Sequence, residues 1–557
     1  MQRCRTALVH RSRPVGIVYS NLPRGKRAGA VSVRRRTALG AAMAAALPFR
    51  FAIAQSDKIR VLRFVPQANL SLLDPIFTSA GPTICHGFTI YDMLFGINSK
   101  REPRPQMAEG HTLSDDGRTY LIRLREGLRF HNGEPVRAQD CAPSLTRWAA
   151  KDTLGQTVWQ YVESCGAQDD RTVKVVLKQP IPIFIEAIAR GSQQVPFIMP
   201  EHVAKTDPYK QNTETIGSGP YRFLADEFVS GAHVAYARFA DYVPRPEPAE
   251  WTIGGKVAHF DRVEWRIIPD ATTATAALRT GEVDWYEVVE PDLVPLLRKN
   301  ADIRIAPQNP TGTSGVLRFN HLHPPFDNVK VRRAVLMGLR QMDYMQAVTG
   351  GDASAYQTCR SWFPCGSYYG ADFQTDAMQG DSDKARAMLA ASGYNGERAV
   401  IINPTDLPSV GPLGNITYDL LRRMGMNVEM AASDWGTVVQ RRNSREPVEK
   451  GGWSIFHTYA PGYTRYTPME YGSIRGQGMA GFFGWYRDDA MEAMTRRFVE
   501  APTQAERNAI VHDIQARAFE MVPSAPLGTY EVRMAYRADL VGVISLNAPY
   551  FWNVHRL

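Results

Sequence analysis

Cysteine is scarce in this chain of 557 residues, and none of its six cysteines stands in a C-x-x-C pair. That spacing underlies zinc ribbons and thioredoxin-like redox sites, so both classes fall away. A G-x-S-x-G nucleophile elbow, a phosphate-cradling P-loop and an H-E-x-x-H zinc helix are also missing. No apolar run approaches the roughly 20 residues that span a bilayer. The acids are scattered, with no pair set out as an acid–base couple for glycoside or peptide hydrolysis. The sequence does not advertise catalysis, and no cofactor is expected.

Acidic residues are absent from 1–54, which hold eleven arginines and lysines. The whole chain carries a net charge of +9, but without that segment 54 basic residues face 56 acidic ones, a net of −2. The pI near 9.1 therefore belongs to the N-terminal segment, and a nucleic-acid partner read from it would be an artefact. The segment has the three parts of an export signal: Arg34-Arg35-Arg36, the apolar stretch Ala38 to Phe49, and Ala52-Ile53-Ala54. The small–x–small end matches the narrow pocket of a signal peptidase. Paired arginines before a weakly apolar core fit the twin-arginine route, and a Sec route also fits. No cysteine stands at the cleavage point, so no lipid anchor is expected.

The remaining 500 or so residues exceed what one core usually holds, so two or more lobes are expected. Strand-like and helical segments alternate in the manner of an α/β protein. Lys58–Pro66 reads as a strand and Ile84–Phe95 as a buried helix. Ser114-Asp115-Asp116-Gly117 is the turn of a hairpin over 112–131. One long helix is expected from Asp327 to Met345. The later series comprises helix Asp383–Ser392, strand Ala399–Asn403, helix Leu413–Met424, strand Asn427–Ala431, helix Trp435–Arg442, an extended Trp453–His457, and two closing helices, Asp488–Glu500 and Thr503–Met521.

Several motifs carry two readings. Gly476-Gln477-Gly478-Met479-Ala480-Gly481 fits G-x-G-x-x-G, but no strand precedes it and no helix follows. His321-Leu322-His323 offers two metal ligands or a structural role. Arg441-Arg442, Arg445 and Lys450 form a basic cluster, either a solvated helix end or a contact for an anionic ligand or transporter surface. His457 with Tyr459, Tyr463, Tyr466 and Tyr471 makes an aromatic-rich loop, a packed surface or a ligand wall. Cys359 and Cys365 are candidates for a small disulfide loop in an oxidising compartment.

Several segments together resemble the extracellular solute-binding proteins of peptide- and nickel-type ABC importers. They are Ser114–Tyr120, Leu128–Asp140, Gly217-Ser-Gly-Pro-Tyr221, Phe319-Asn320, Pro325–Arg332 and Asp434-Trp435, in the family's order. The resemblance implies an α/β two-lobe clamshell with an extra subdomain on the first lobe. Lobe I would take 57–93, 205–312 and 525–557, its subdomain 94–204, and lobe II 313–524, with crossings near Arg318–His323 and Val522–Leu527. A small-molecule ligand would be captured by Asn69, Asn320, Trp435, His457, Tyr459 and Tyr463. The implied protein is a soluble periplasmic monomer that delivers its solute to ABC permease subunits in the inner membrane. A periplasmic hydrolase or amidase on the same scaffold is the alternative. Peptide-binding members carry an acid after the second-lobe strand to pair the peptide amine. Here Trp453 to Tyr463 has none before Glu470, which moves the expectation toward a neutral, aromatic or anionic solute.

Overall fold

The computed structural model describes residues 59–181, 183–191, 194–501, 503–546 and 548–557, without the Tyr463 side chain. The export-signal reading, Ala52-Ile53-Ala54 included, lies outside the described residues.

The strand Val61–Val65 alternates Leu62 and Phe64 inward, and it is the central strand of a seven-stranded mixed sheet. In spatial order the strands are Ile303–Pro307, Arg533–Arg537, Trp285–Tyr286, Val61–Val65, Arg262–Arg266, His233–Arg238 and Tyr221–Phe223. Val61–Val65 pairs in parallel with both of its neighbours, and the remaining pairs are antiparallel. Phe64, Trp265, Trp285 and Phe551 pack on this sheet, their centroids 5.1 to 6.1 Å apart and mostly edge to face. Each such pair contributes about 0.5–1.5 kcal/mol beyond burial.

A second mixed sheet has six strands, in the order Tyr356–Gln357, Ser524–Tyr530, Thr313–Phe319, Ile455–Pro461, Ala399–Pro404 and Val428–Ser433. The continuous apolar run Ala399-Val-Ile-Ile pairs in parallel on both sides, as a strand covered on both faces should. A third, four-stranded antiparallel sheet contains the expected hairpin, Ala108–Leu113 against Thr119–Leu124, turned at Gly117 with φ +69°.

The chain leaves the seven-stranded sheet through 308–312 and returns through 531–532. The crossings expected near Arg318–His323 and Val522–Leu527 therefore fall elsewhere. Thr313–Phe319 and Ser524–Tyr530 pair with each other along most of their length, which keeps both within the six-stranded sheet. Two helix expectations also change. The buried helix is Gly81–Ile90, opened by Pro82 at its second position and followed by an extended Tyr91. The expected helix from Asp327 to Met345 is two, Val329–Gly338 and Gln341–Thr349, capped at Asn328 and broken by an extended Leu339. Gly338 sits against Ala385 and Leu420, where a Cβ would lie 3.0 Å from each.

Asp74 fixes the loop that leads into the Gly81–Ile90 helix. Its carboxylate accepts the Ile76 and Phe77 amides at 3.0 and 3.3 Å and the Asn212 amide at 3.0 Å. Arg147 clamps it at 2.7 Å in a pair whose side chains are each 1% exposed. Thr83 then ties the first helical turn to Leu72 through a 2.7 Å bond to its carbonyl.

Candidate functional site

The start of the Gly81–Ile90 helix faces the six-stranded sheet across a cavity of about 70 Å³. Ser79, Gly81 and Ile84 form one wall. Val316 and Thr458 to Pro461 of the sheet form the other, closed by Trp435, Arg442 and the segments carrying Tyr471 and Phe482. Gly81 leaves room for the polar groups beside it: a Cβ there would lie 2.5 Å from Gln67 Nε2 and 2.7 Å from Tyr459 Oη, so both side chains would have to shift.

A short polar chain joins the two sheets beside this cavity. Tyr459 Oη donates to Gln67 Oε1 at 2.6 Å. Gln67 Nε2 donates to Glu287 Oε1 at 2.7 Å, and the Gln67 amide to Glu287 Oε2 at 2.7 Å. Gln308, in one of the crossings, donates to the same carboxylate at 3.0 Å. Glu287 is 1% exposed, and burial pushes its pKa up to about 7 against the three hydrogen bonds that hold it down. Because Gln67 gives its amide protons to Glu287, its oxygen is the face left for Tyr459.

Trp435 opens the helix Trp435–Arg441, capped by Asp434, which accepts the Thr437 amide at 3.0 Å. Its own amide donates to Asp406 Oδ1 at 2.7 Å, which aims the ring at the cavity. The indole Nε1 has no acceptor among the described residues.

The other expected site residues sit differently. His457 is fully buried on the far side of its strand, where Nε2 meets Thr417 Oγ1 of the helix Gly411–Met424 at 2.7 Å. Burial lowers its pKa to about 3, so the ring is neutral. Asn320 donates to the Trp453 carbonyl at 2.9 Å and holds a turn. Asn69 accepts the Gly231 amide at 2.8 Å. None of these three lines the cavity, whereas Trp435 and Tyr459 do. Tyr463 lies in the 3-10 turn Gly462–Arg465.

The basic cluster divides. Arg441 donates to the Gly451 and Gly452 carbonyls, Lys450 pairs loosely with Glu446 at 3.9 Å, and Arg445 lies over Trp485. Arg442 alone turns inward. Its spacing held the signal, because Trp435, Val438, Val439 and Arg442 fall at i, i+3, i+4 and i+7 on one helical stripe. His321 and His323 bond to the Pro523 and Arg445 carbonyls at 2.9 and 2.8 Å. Among the described residues no group of three His, Cys, Asp or Glu is placed to hold a metal ion. Cys359 and Cys365 form a disulfide, and Cys85, Cys141 and Cys165 are free. No described helix is long and apolar enough to cross a membrane.

Two mixed sheets meeting over a small aromatic-walled cavity, bridged by side-chain hydrogen bonds, define a ligand-binding α/β protein. The chain belongs to the bacterial extracellular solute-binding proteins, family 5, whose middle-region model matches residues 102–472. It is 36% identical over 492 residues to a probable peptide ABC transporter periplasmic-binding protein of Sinorhizobium fredii, covering 88% of this chain and 92% of that one. It is 26% identical over 396 residues to the glutathione-binding protein GsiB of Escherichia coli K12, covering 70% of this chain and 73% of the relative. Among solved structures, a dipeptide-binding protein from Pseudoalteromonas sp. SM9913 in complex with Met-Leu superposes with a TM-score of 0.74. It shares 20% identity and is matched over 89% of this chain and all of its own. The PBP AgaA from A. tumefacien R10, in complex with agropinic acid, gives a TM-score of 0.72 at 19% identity, over 89% and 99% of the two chains.

Proposed function

We propose that this solute-binding protein is an exported, soluble periplasmic receptor of an ABC importer, acting as a monomer that hands its solute to permease subunits in the inner membrane. The two large sheets are the cores of two lobes, the four-stranded sheet belongs to the subdomain of the first, and closure buries the solute. The observation that carries this reading is the Tyr459–Gln67 bond beside the cavity, which links the two sheets and joins residues 392 positions apart. A ligand that touches both walls favours the state in which that bond exists, and the shift is set by its differential affinity.

The chemistry of the walls favours binding over turnover. No hydroxyl lining the cavity is hydrogen-bonded to a histidine or carboxylate among the described residues, so no activated nucleophile is assembled there. The walls also contain no aspartate or glutamate. Glu470 pairs with Arg190 at 3.4 Å instead of facing the cavity. A free α-ammonium would be buried without a counter-charge, which disfavours unmodified peptides as cargo.

Native purification followed by mass spectrometry of released small molecules tests the reading. The expected result is a stoichiometric organic solute whose re-addition to stripped protein raises its Tm. At about 100 times its Kd a ligand adds about 2.7 kcal/mol. Protein that carries no solute and is stabilised by no member of a broad metabolite panel would refute the receptor assignment.

A further inference from the structure

Arg442 is 2% exposed and reaches from the end of the Trp435–Arg441 helix to the loop before the Gly81–Ile90 helix. Its guanidinium lies 4.5 Å from the Phe483 ring centroid, 5.6 Å from Trp435 and 5.9 Å from Phe456. Its side-chain hydrogen bond runs from Nη2 to Thr78 Oγ1, at 3.3 Å, and Nε has no acceptor. No carboxylate of the described residues lies within ion-pair distance of it. Several other deeply buried arginines are matched, whereas Arg465, among the described residues, donates only to the Tyr471 hydroxyl, at 2.8 Å. Arg147 has Asp74, Arg475 has Glu492, and Arg318 and Arg332 are wrapped by backbone carbonyls. Ring faces offset part of the lost hydration, each by roughly 0.5–2 kcal/mol, against several kcal/mol for burying the ion.

Two further features belong to the lining of the same cavity. Trp435 Nε1 is buried without an acceptor. On the opposite wall the ten-residue helix Gly81–Ile90 begins at Ala80, whose side chain accepts nothing; Pro82 has no N–H and the Ala80 amide donates to Thr78 Oγ1 at 3.2 Å, so what this end brings to the wall is the Gly81 amide and the positive end of the dipole. Donors and positive charge lie on both walls of the cavity, with no acid in its lining.

Building on the receptor reading, we propose that Arg442, Trp435 and the start of the Gly81–Ile90 helix form a carboxylate subsite, and that the transported solute is a small organic acid without a free ammonium group. Charge decides for carboxylate over phosphate. One guanidinium neutralises a monoanion completely, but would leave a buried phosphate dianion with net negative charge. The planar fork of arginine also matches a carboxylate in two parallel bonds.

Calorimetry on stripped, full-length mature protein at constant ionic strength tests the assignment. The probes are N-acetylglycine, its neutral counterpart N-acetylglycinamide, the cation glycinamide, and inorganic phosphate. N-acetylglycine is expected to bind about 100-fold more tightly than N-acetylglycinamide, the contrast falling about 100-fold in Arg442→Met and being partly restored in Arg442→Lys. Trp435→Phe, which keeps the ring and loses the donor, should weaken the carboxylate about tenfold and leave the amide unchanged. It decides the matter if Arg442→Met does not fold. Equal binding of acid and amide, preference for glycinamide or phosphate, or no binding of N-acetylglycine at tens of millimolar overturns the subsite. A neutral or cationic solute recovered by native purification would overturn it too, while leaving the receptor reading standing.

Discussion

Glu287 makes the pH dependence of stability a direct probe of the polar chain beside the cavity. Its pKa of about 7 in the folded protein compares with 4.5 for an unperturbed glutamate. Between those values the folded state holds a proton that the unfolded chain has released, so stability falls as pH rises through the window. The full difference between the two values is worth about 3 kcal/mol, of which about 2.5 kcal/mol is lost between pH 5 and pH 8. Buried histidines contribute with the opposite slope. His86 and His457 are lowered to about 3 and His131 to about 4, so each adds stability that is lost as pH falls below about 6.5. Comparison with Glu287→Gln removes them, because they are common to both proteins. The stability difference between the two proteins, measured by urea unfolding followed through tryptophan fluorescence, should move by about 2.5 kcal/mol in favour of the variant from pH 5 to pH 8. A constant offset across that range would show that Glu287 does not titrate there and would sink the reasoning.

The remaining predictions are simpler. Tyr459→Phe removes the bond to Gln67 and should weaken solute binding about fivefold, a cost of about 1 kcal/mol, with Tm of the stripped protein little changed; unchanged affinity would detach that bond from closure. Gly81→Ala places a methyl group against Gln67 and Tyr459 and should reduce affinity more than Tyr459→Phe does, as read by calorimetry. Asp74→Ala strands a buried Arg147 and should cost about 3–5 kcal/mol of stability by denaturant titration; a loss below 1 kcal/mol would contradict the buried pairing. Replacing Cys359 and Cys365 together by serine opens a short loop and should cost about 2 kcal/mol, visible as a lower Tm under non-reducing conditions.

Local patterning made much of the fold legible. The helix ends at Asp434, Asp488 and Thr503 follow from residues that cap, each accepting amides two or three positions on. The hairpin followed from Asp-Gly. The crossings were not legible, because the register that keeps Ser524–Tyr530 beside Thr313–Phe319 is a contact across about 200 residues and leaves no periodic mark. The cavity was half visible. Trp435 and Tyr459 stood out as large amphipathic rings, but His457, on the same strand as Tyr459, points to the Gly411–Met424 helix instead. Arg442 looked like a solvated terminus because arginines usually are. The apolar stripe on which it falls was the contrary signal.

The placement of the last strands has a consequence for biogenesis. Ser524–Tyr530 is an inner strand of the six-stranded sheet, and Arg533–Arg537 is an inner strand of the seven-stranded one. Neither sheet can close before Ser524–Tyr530 and Arg533–Arg537 are available to pair, so a chain that lacks them exposes unfinished edges in both sheets. Unpaired strand edges of this kind make the unfinished chain prone to aggregate, and the arrival of the two strands completes both sheets nearly together. Loss of the C-terminal strands through a premature stop would yield no half-receptor, only an aggregation-prone fragment.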